Sequence, residues 1–400
     1  MVEFSLLFGP DSGDQTRQFI REGLELFSEV SSFGAHEPFI DYLELSHNVS
    51  QFMETLVFPC RTLVQLYGVL ISVARYHPKA DEEIIAQMLR GFGRAGLFSE
   101  DSVELLQARL LLLEFYSYSM KIEAAWTLLF NIVCSAYGLG CHVVRPGKHC
   151  LHRLDIIWRT TAYYDCLIGS TIGRPNAISC TRVPARYILC ELVEIFQDTN
   201  LAFQEFGKNE TLYQDHILRL DSYITRVLDR EEKDPTILYR NYRLLLLSNQ
   251  IKLHYAFVRT HRFSQFQINN VLSRFFEELV EFIDSASKSA PRPFIKFRES
   301  FPFVSCYSFQ TLAIVLACIK KNMHVLEPKV LEGLREFNER LKPYANFLAT
   351  DHCLNETLDV VIDLIKSDGD LHPPTLPIES DLSYIRDDPF FYQMYYNHQQ

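Results

Sequence analysis

The chain has 400 residues, a formal net charge of −11, 48% hydrophobic residues and 22% charged residues. This length and apolar content suffice to bury one large core or two ordinary ones, and they exclude a chain that is disordered throughout. The negative net charge argues against a protein that binds nucleic acid by itself, because proteins bind duplex DNA chiefly through lysine and arginine contacts to phosphate.

The beginning of the chain, MVEFSLLFGPDSGD, lacks the basic region and the long apolar segment of a signal peptide. The ten cysteines include no C-x-x-C pair. We therefore expect reduced thiols in the cytosol or nucleus. The most apolar run, at residues 309–319, is too short to span a bilayer, so we expect no membrane association.

Apolar residues recur at helical spacing through most of the chain, whereas alternating strand patterns are scarce. Residues 105–120 and 237–258 are apolar on several sides, which predicts buried helices. Residues 212–230, 271–285 and 330–348 carry one apolar stripe each, which predicts surface helices. The predicted fold class is all-α, an irregular multi-helix bundle.

Breaks in this pattern suggest the organisation of the chain. AISCTRVPARY, residues 177–187, predicts a loop between two halves, and SASKSAPRPF, residues 285–294, predicts a second break. After Ser367 prolines interrupt the helical pattern, and acidic residues are then interspersed with aromatic ones. We therefore predict a helical region, 1–367, and a C-terminal tail, 368–400, that either stays flexible until a partner binds or packs across the helices.

The stretch DCLIGSTIGRPNAIS, residues 165–179, places a carboxylate on a helix face that is otherwise apolar. Helical spacing puts five residues on that face: Leu154, Trp158, Thr161, Asp165 and Ile168. Asp155 and Arg159 lie outside it and can pair at i,i+4. A buried carboxylate must be neutral, solvated or paired.

The turn that follows offers a partner for this carboxylate. Gly173 suits a left-handed helix end, and Pro175 prevents the helix from continuing. Arg174 lies between them and can reach back to Asp165 as a two-pronged partner. We predict an ion pair that holds the fold, in preference to a catalytic group.

These residues resemble the fungal-specific transcription factor domain, the middle homology region of zinc-cluster regulators. In that family a helix ends in Leu-Gly-Leu-His, and the next helix carries a tryptophan and a later aspartate before Gly-Arg-Pro. The matching residues are Trp126, Leu139, Gly140, His142, Trp158, Asp165, Gly173, Arg174 and Pro175. Cys141 replaces the second leucine, and only Arg153 remains of the arginine run that precedes the tryptophan. The resemblance covers residues 35–330.

The resemblance implies a helical regulatory domain of a transcriptional regulator. The six-cysteine zinc cluster that reads DNA in that family has no counterpart in the cysteine spacing of this chain. We therefore expect a nuclear regulator or co-regulator of a metabolic or secondary-metabolite gene cluster, without direct sequence-specific DNA binding. It would work through a DNA-binding transcription factor and the transcription machinery. An alternative is that the gene model lacks an upstream exon encoding the cluster.

Enzyme signatures are missing from the sequence, including G-x-G-x-x-G, the phosphate loop, G-x-S-x-G and H-E-x-x-H. We predict no enzyme and no cofactor. A second hypothesis is a small-molecule-binding or catalytic helical protein that reuses the regulator scaffold. The aromatic segment at residues 297–318 would then be the pocket for a hydrophobic effector, with simple core packing as the alternative.

Two further clusters carry weaker signals. One could ligate a metal through mixed side chains: Cys141, His142, His149, Cys150 and His152. Its spacing matches no common zinc template, so we prefer a loop with buried thiols and a cap histidine, and predict no metal. The other is an acidic, aromatic activation segment in the tail, with apolar positions Leu382, Tyr384, Phe390, Phe391 and Tyr395.

Overall fold

Helix dominates the residues that the structure describes, and 81% of them are helical. The computed structural model describes residues 2–4, 7–9, 12–31, 39–97, 101–119, 121–143, 150–172, 176–178, 265–288 and 327–342, with scattered positions between 193 and 251 and residue 359. The all-α class expected from the helical spacing is therefore confirmed.

The chain divides into two units. Unit 1 comprises Met1–Gly169 and Asn176–Cys190, and unit 2 comprises Ser170–Pro175 and Glu191–Gln400. The last boundary falls shortly after the loop predicted at residues 177–187. The predicted tail, 368–400, lies outside the described residues and stays a prediction.

Unit 1 begins with a short strand pair and continues as helices. Strands β1 (Val2–Glu3) and β2 (Val57–Phe58) pair antiparallel, with Val2 opposite Phe58. The helices are α1 (Gly13–Ser31), α2 (Tyr42–Ser50), α3 (Cys60–Val73), α4 (Glu82–Leu97), α5 (Val103–Tyr118), α6 (Ile122–Gly138) and α7 (Cys150–Ile172), and the 3-10 turn Ala74–Tyr76 follows α3. The last three residues of α7 belong to unit 2. The strand pair leads Phe4 into the core, where its ring stacks on Tyr67 at a centroid distance of 4.7 Å.

Helix α3 is the central element of unit 1. It contacts α1, α2, α4 and α5, and all its residues from Leu63 to Ile71 are buried. The buried amide of Gln65 donates to Gln107 Oε1 of α5 at 2.6 Å, and Gln107 donates to the Phe39 carbonyl. Because each of the two amide NH₂ groups has an acceptor, burying these donors costs the core little.

Helices α3 and α5 approach closely at Gly68. A Cβ at this position would lie 2.9 Å from Ala108 Cα, so only glycine fits at the contact. Helix α5 is buried on several sides, with Leu105, Leu110 and Leu113 all less than 3% exposed. The prediction of a buried helix at residues 105–120 is confirmed.

Helix α7 is buried on more sides than its apolar stripe indicated. Every residue from Ile156 to Gly169 is buried, including Arg159, which lies outside the predicted face. Arg159 Nη2 lies 3.1 Å from Asp155 Oδ2, so the predicted i,i+4 pair is confirmed. The hydroxyl of Thr161 donates back to the Ile157 carbonyl at 2.8 Å, which allows a polar residue to be buried at little cost.

Unit 2 contains helices α8 (Gln265–Lys288) and α9 (Pro328–Leu341), which pack together. The rings of Phe276 and Phe337 meet at a centroid distance of 6.4 Å. Helix α9 is a surface helix, as predicted. Helix α8 is more buried than predicted, and its buried residues include the acid Glu278. Glu278 pairs with Arg243, which offsets the cost of burying its charge.

Candidate functional site

The Leu-Gly-Cys-His motif forms the end of α6. Gly140 has a φ of +71°, the Cys141 N–H donates to the Ala136 carbonyl at 2.9 Å, and the Gly140 N–H donates to the Tyr137 carbonyl at 3.0 Å. These two bonds are the Schellman pattern, in which a left-handed residue ends the helix and satisfies its last carbonyl groups. A Cβ at Gly140 would meet nothing within 4 Å. Glycine is therefore favoured here by the positive φ of the backbone, and lack of space is not the reason.

This turn places His142 beside two aromatic rings. Its ring centroid lies 4.8 Å from that of Tyr137 and 6.0 Å from that of Trp158 on α7. Tyr137 and Trp158 themselves meet edge-on at 5.2 Å. We call these three residues the aromatic junction, and it joins the end of α6 to α7. Trp126 lies earlier on α6, where its ring packs against Phe130 at 4.6 Å.

Asp165 follows two turns after Trp158 and is 2% exposed. The Ala177 N–H donates to Asp165 Oδ1 at 2.8 Å, and the Ile178 N–H donates to Asp165 Oδ2 at 2.9 Å. We call this arrangement of Asp165, Ala177 and Ile178 the Asp165 clamp. It ties α7 to the residues that come directly after Gly-Arg-Pro, and it gives both carboxylate oxygens a partner.

Burial raises the pKa of Asp165 to about 6, and the two backbone hydrogen bonds limit this rise because they favour the carboxylate. A carboxyl group with such a pKa suits proton transfer when it faces a substrate. Here backbone amides occupy both oxygens and almost no surface is accessible. The geometry therefore supports a fold-holding role for Asp165.

A second contact reinforces the clamp. The Asn176 side-chain amide donates to Cys166 Sγ at 3.2 Å, next to Asp165 on α7. Burial raises the pKa of the Cys166 thiol well above its usual range, so this cysteine stays protonated and is a poor nucleophile.

The predicted guanidinium partner of Asp165 is Arg174. Arg174 lies outside the described residues, together with Gly173 and Pro175, so the ion pair stays a prediction. The expected burial of Asp165 is confirmed, and its carboxyl group has hydrogen-bond partners. The partners that the structure describes are backbone N–H groups, which a sequence pattern of side chains does not reveal.

The candidate metal ligands are described only in part. Cys141 is buried, and burial raises the pKa of its thiol to about 11, while His142 is exposed and belongs to the aromatic junction. His149 and the side chains of Cys150 and His152 lie outside the described residues. In the part of the chain that the structure describes, no three His, Cys, Asp or Glu side chains form a group that could hold a metal ion.

Two other predicted sites also fall outside the described residues. The effector segment, 297–318, and the activation segment in the tail have no described structure, so both stay predictions. Over the described ranges, no helix combines the length and apolar character needed to cross a membrane.

A polar cleft in unit 1 was not predicted from the sequence. It has a volume of about 240 Å³, and its charged and amide lining residues are Asp41, Glu44, Asn48, Arg61, Gln65, Glu104 and Arg153. Arg153, the remnant of the arginine run, lies 2.8 Å from Glu44 through Nη2 and Oε2. These residues come from α2, α3, α5, α7 and the residue before α2, so no local spacing in the sequence groups them.

Compared with protein-family models and with curated proteins, the chain matches none of them. The resemblance to fungal regulators therefore depends on the motif residues alone.

Proposed function

We propose that this chain is a helical transcriptional regulator or co-regulator that has no DNA-binding domain of its own and reaches promoters through a DNA-binding transcription factor. Its proposed location is the nucleus, and its proposed targets are the genes of a metabolic or secondary-metabolite cluster. In this proposal the chain is not an enzyme and needs no cofactor.

The observation that carries the proposal is the packing of the family-like motifs in unit 1. The Leu-Gly-Cys-His turn meets Trp158 through the aromatic junction. Asp165, on the same helix as Trp158, holds the residues directly after Gly-Arg-Pro. The motifs that resemble those of the fungal family thus lie at contacts between helices in this chain. This placement supports the proposal that the chain has the helical regulatory scaffold of that family.

Charge supports the requirement for a partner. The formal net charge of −11 disfavours unaided binding to phosphate, because each phosphate contact made by lysine or arginine contributes to affinity. The ten cysteines also show no spacing that would bring six thiolates around two metal ions. Promoter selection therefore falls to a DNA-binding protein, and this chain supplies the contact with the transcription machinery.

A second candidate function is small-molecule binding, or catalysis, on the same scaffold. The polar cleft favours it, because pockets between bundle helices are common ligand sites. A regulator that responds to a ligand would combine both functions.

A tethering experiment tests the regulatory function. Fused to a heterologous DNA-binding domain, the full chain is expected to change the expression of a reporter gene, and residues 368–400 alone are expected to activate it weakly. Asp165→Ala in the full-chain fusion should reduce the effect, since the residues after Gly-Arg-Pro lose their anchor. Asp14→Ala, at an exposed position, is the matched control.

Reporter expression that stays at the level of the DNA-binding domain alone, in a full-chain fusion of normal abundance, would contradict the proposal. A silent 368–400 fusion beside an active full-chain fusion would remove only the activation segment.

A further inference from the structure

The polar cleft has a mixed but uneven charge. Three carboxylates line it, those of Asp41, Glu44 and Glu104, together with the two guanidinium groups of Arg61 and Arg153. The excess of carboxylates repels phosphates and other polyanions. Because groups of both signs line the cleft, an occupant that carries both charges can pair with each of them.

Three of the five charges already have partners. Arg153 Nη2 lies 2.8 Å from Glu44 Oε2, so these two side chains neutralise each other. Asp41 Oδ1 accepts the Glu44 N–H at 3.1 Å and so caps α2. Arg153 and Glu44 are therefore committed to each other, and one oxygen of Asp41 is committed to the end of α2.

The other two charges are uncommitted. Within the described residues, no hydrogen bond or ion pair joins Arg61 or Glu104 to another group. Arg61 is exposed at the start of α3, and Glu104 is half-buried in the first turn of α5. One cation and one anion therefore line the same cleft with open hydrogen-bonding capacity.

Two neighbouring groups extend this pair. No side chain caps α3, so the positive end of that helix adds to Arg61 as an attraction for a carboxylate. Gln65 is 9% exposed and donates its amide to Gln107, and among the described donors none bonds to its carbonyl oxygen. Because Gln65 and Glu104 line the same cleft, that oxygen is open to a hydrogen bond from an ammonium group bound there.

The size of the cleft limits the ligand. Its volume of about 240 Å³ is below the roughly 300–1,000 Å³ of sites that hold drug-sized molecules. We propose that the cleft binds a free amino acid, with the ligand carboxylate on Arg61 and the α3 end and the ligand ammonium on Glu104. This site does not depend on the proposed regulatory function, and either can fail alone.

Calorimetry on the purified full chain tests the proposal, with each common L-amino acid as the probe. We expect at least one of them to bind below about 10 mM, a range suited to a small ligand in an open site. Its N-acetyl and C-amide derivatives should each bind about tenfold more weakly, because each lacks one of the two charges.

Two variants assign the charges. Arg61→Ala should weaken binding of the free amino acid about tenfold and remove its advantage over the amide derivative. Glu104→Gln should also weaken binding of the free amino acid about tenfold, and should remove its advantage over the N-acetyl derivative. Arg90→Ala and Glu83→Gln are the matched controls, because both residues are exposed on α4 outside the cleft, and Glu83 also lies in the first turn of its helix.

Absence of binding by every amino acid up to about 10 mM would overturn the proposal. Affinity that is unchanged in either Arg61→Ala or Glu104→Gln, with a native far-UV spectrum, would also overturn it. Loss of affinity in both variants, with wild-type affinity in both controls, supports it.

Discussion

The carboxyl group of Asp165 is subject to two opposing effects. Burial favours its neutral form, whereas the Ala177 and Ile178 N–H groups favour its charged form. Burial dominates and raises the pKa from the ordinary value of 3.8 to about 6, so the folded state holds the proton more tightly than the unfolded chain. The stability that this proton contributes is therefore complete below pH 3.8 and is lost as the pH rises through about 6.

Asp165→Asn removes this titration and so tests it. We expect the wild-type chain to gain up to about 3 kcal/mol of unfolding free energy over the variant as the pH falls from about 7 to about 4. Urea denaturation of both proteins at the two pH values measures the difference.

Asp14→Asn serves as the control for this prediction. The hydrogen bond and charge of Arg17 lower the pKa of Asp14, so wild type should lose stability relative to this variant at low pH. The change should be small because Asp14 is exposed. A difference between wild type and Asp165→Asn that does not vary with pH would show that Asp165 does not titrate in this way.

Close helix packing decides which glycines are replaceable. At Gly68 the backbone of α5 occupies the space that a Cβ would need, whereas at Gly93 on α4 nothing lies within 4 Å of the added atom. Both glycines lie inside helices, so alanine improves the intrinsic helix propensity at each.

Gly68→Ala and Gly93→Ala should therefore change stability in opposite directions. We expect Gly68→Ala to destabilise the fold by about 1–2 kcal/mol net, because overpacking exceeds the gain in propensity. Gly93→Ala should stabilise it by up to about 1 kcal/mol. Thermal unfolding of both variants measures the effect. A Gly68→Ala variant that is as stable as Gly93→Ala would refute the close α3–α5 contact.

Helical periodicity predicted the class of the fold and several of its elements. The apolar run at residues 105–120 is a buried helix, and the pattern around Asp165 predicted its burial correctly. Arg159 and Glu278 were missed as buried residues, because their partners Asp155 and Arg243 remove the cost that a charge alone would impose.

The aromatic junction and the polar cleft differ in how far the sequence alone could predict them. Two residues of the aromatic junction, His142 and Trp158, were singled out by the resemblance to the fungal family, whereas Tyr137 was missed and joins them through its ring contacts. The polar cleft gathers residues that are up to about a hundred positions apart, such as Glu44 and Arg153. Only the packing of α2, α3, α5 and α7 brings them together.

The whole molecule combines a helical scaffold, an acidic net charge and motifs that resemble a fungal regulatory domain. We propose that the chain acts at promoters without reading DNA itself. The net charge of −11 disfavours unaided binding to duplex DNA, and the cysteine spacing does not fit a zinc cluster that would read it.

Chromatin immunoprecipitation of the tagged full chain, read beside a duplex-binding assay with the purified chain on the same promoter fragments, tests this claim most directly. We expect enrichment at discrete promoters in cells and no selective binding to those fragments by the purified chain, with selective binding once the DNA-binding partner is added. Uniform background occupancy, or tight and selective binding to the fragments by the chain alone, would contradict it.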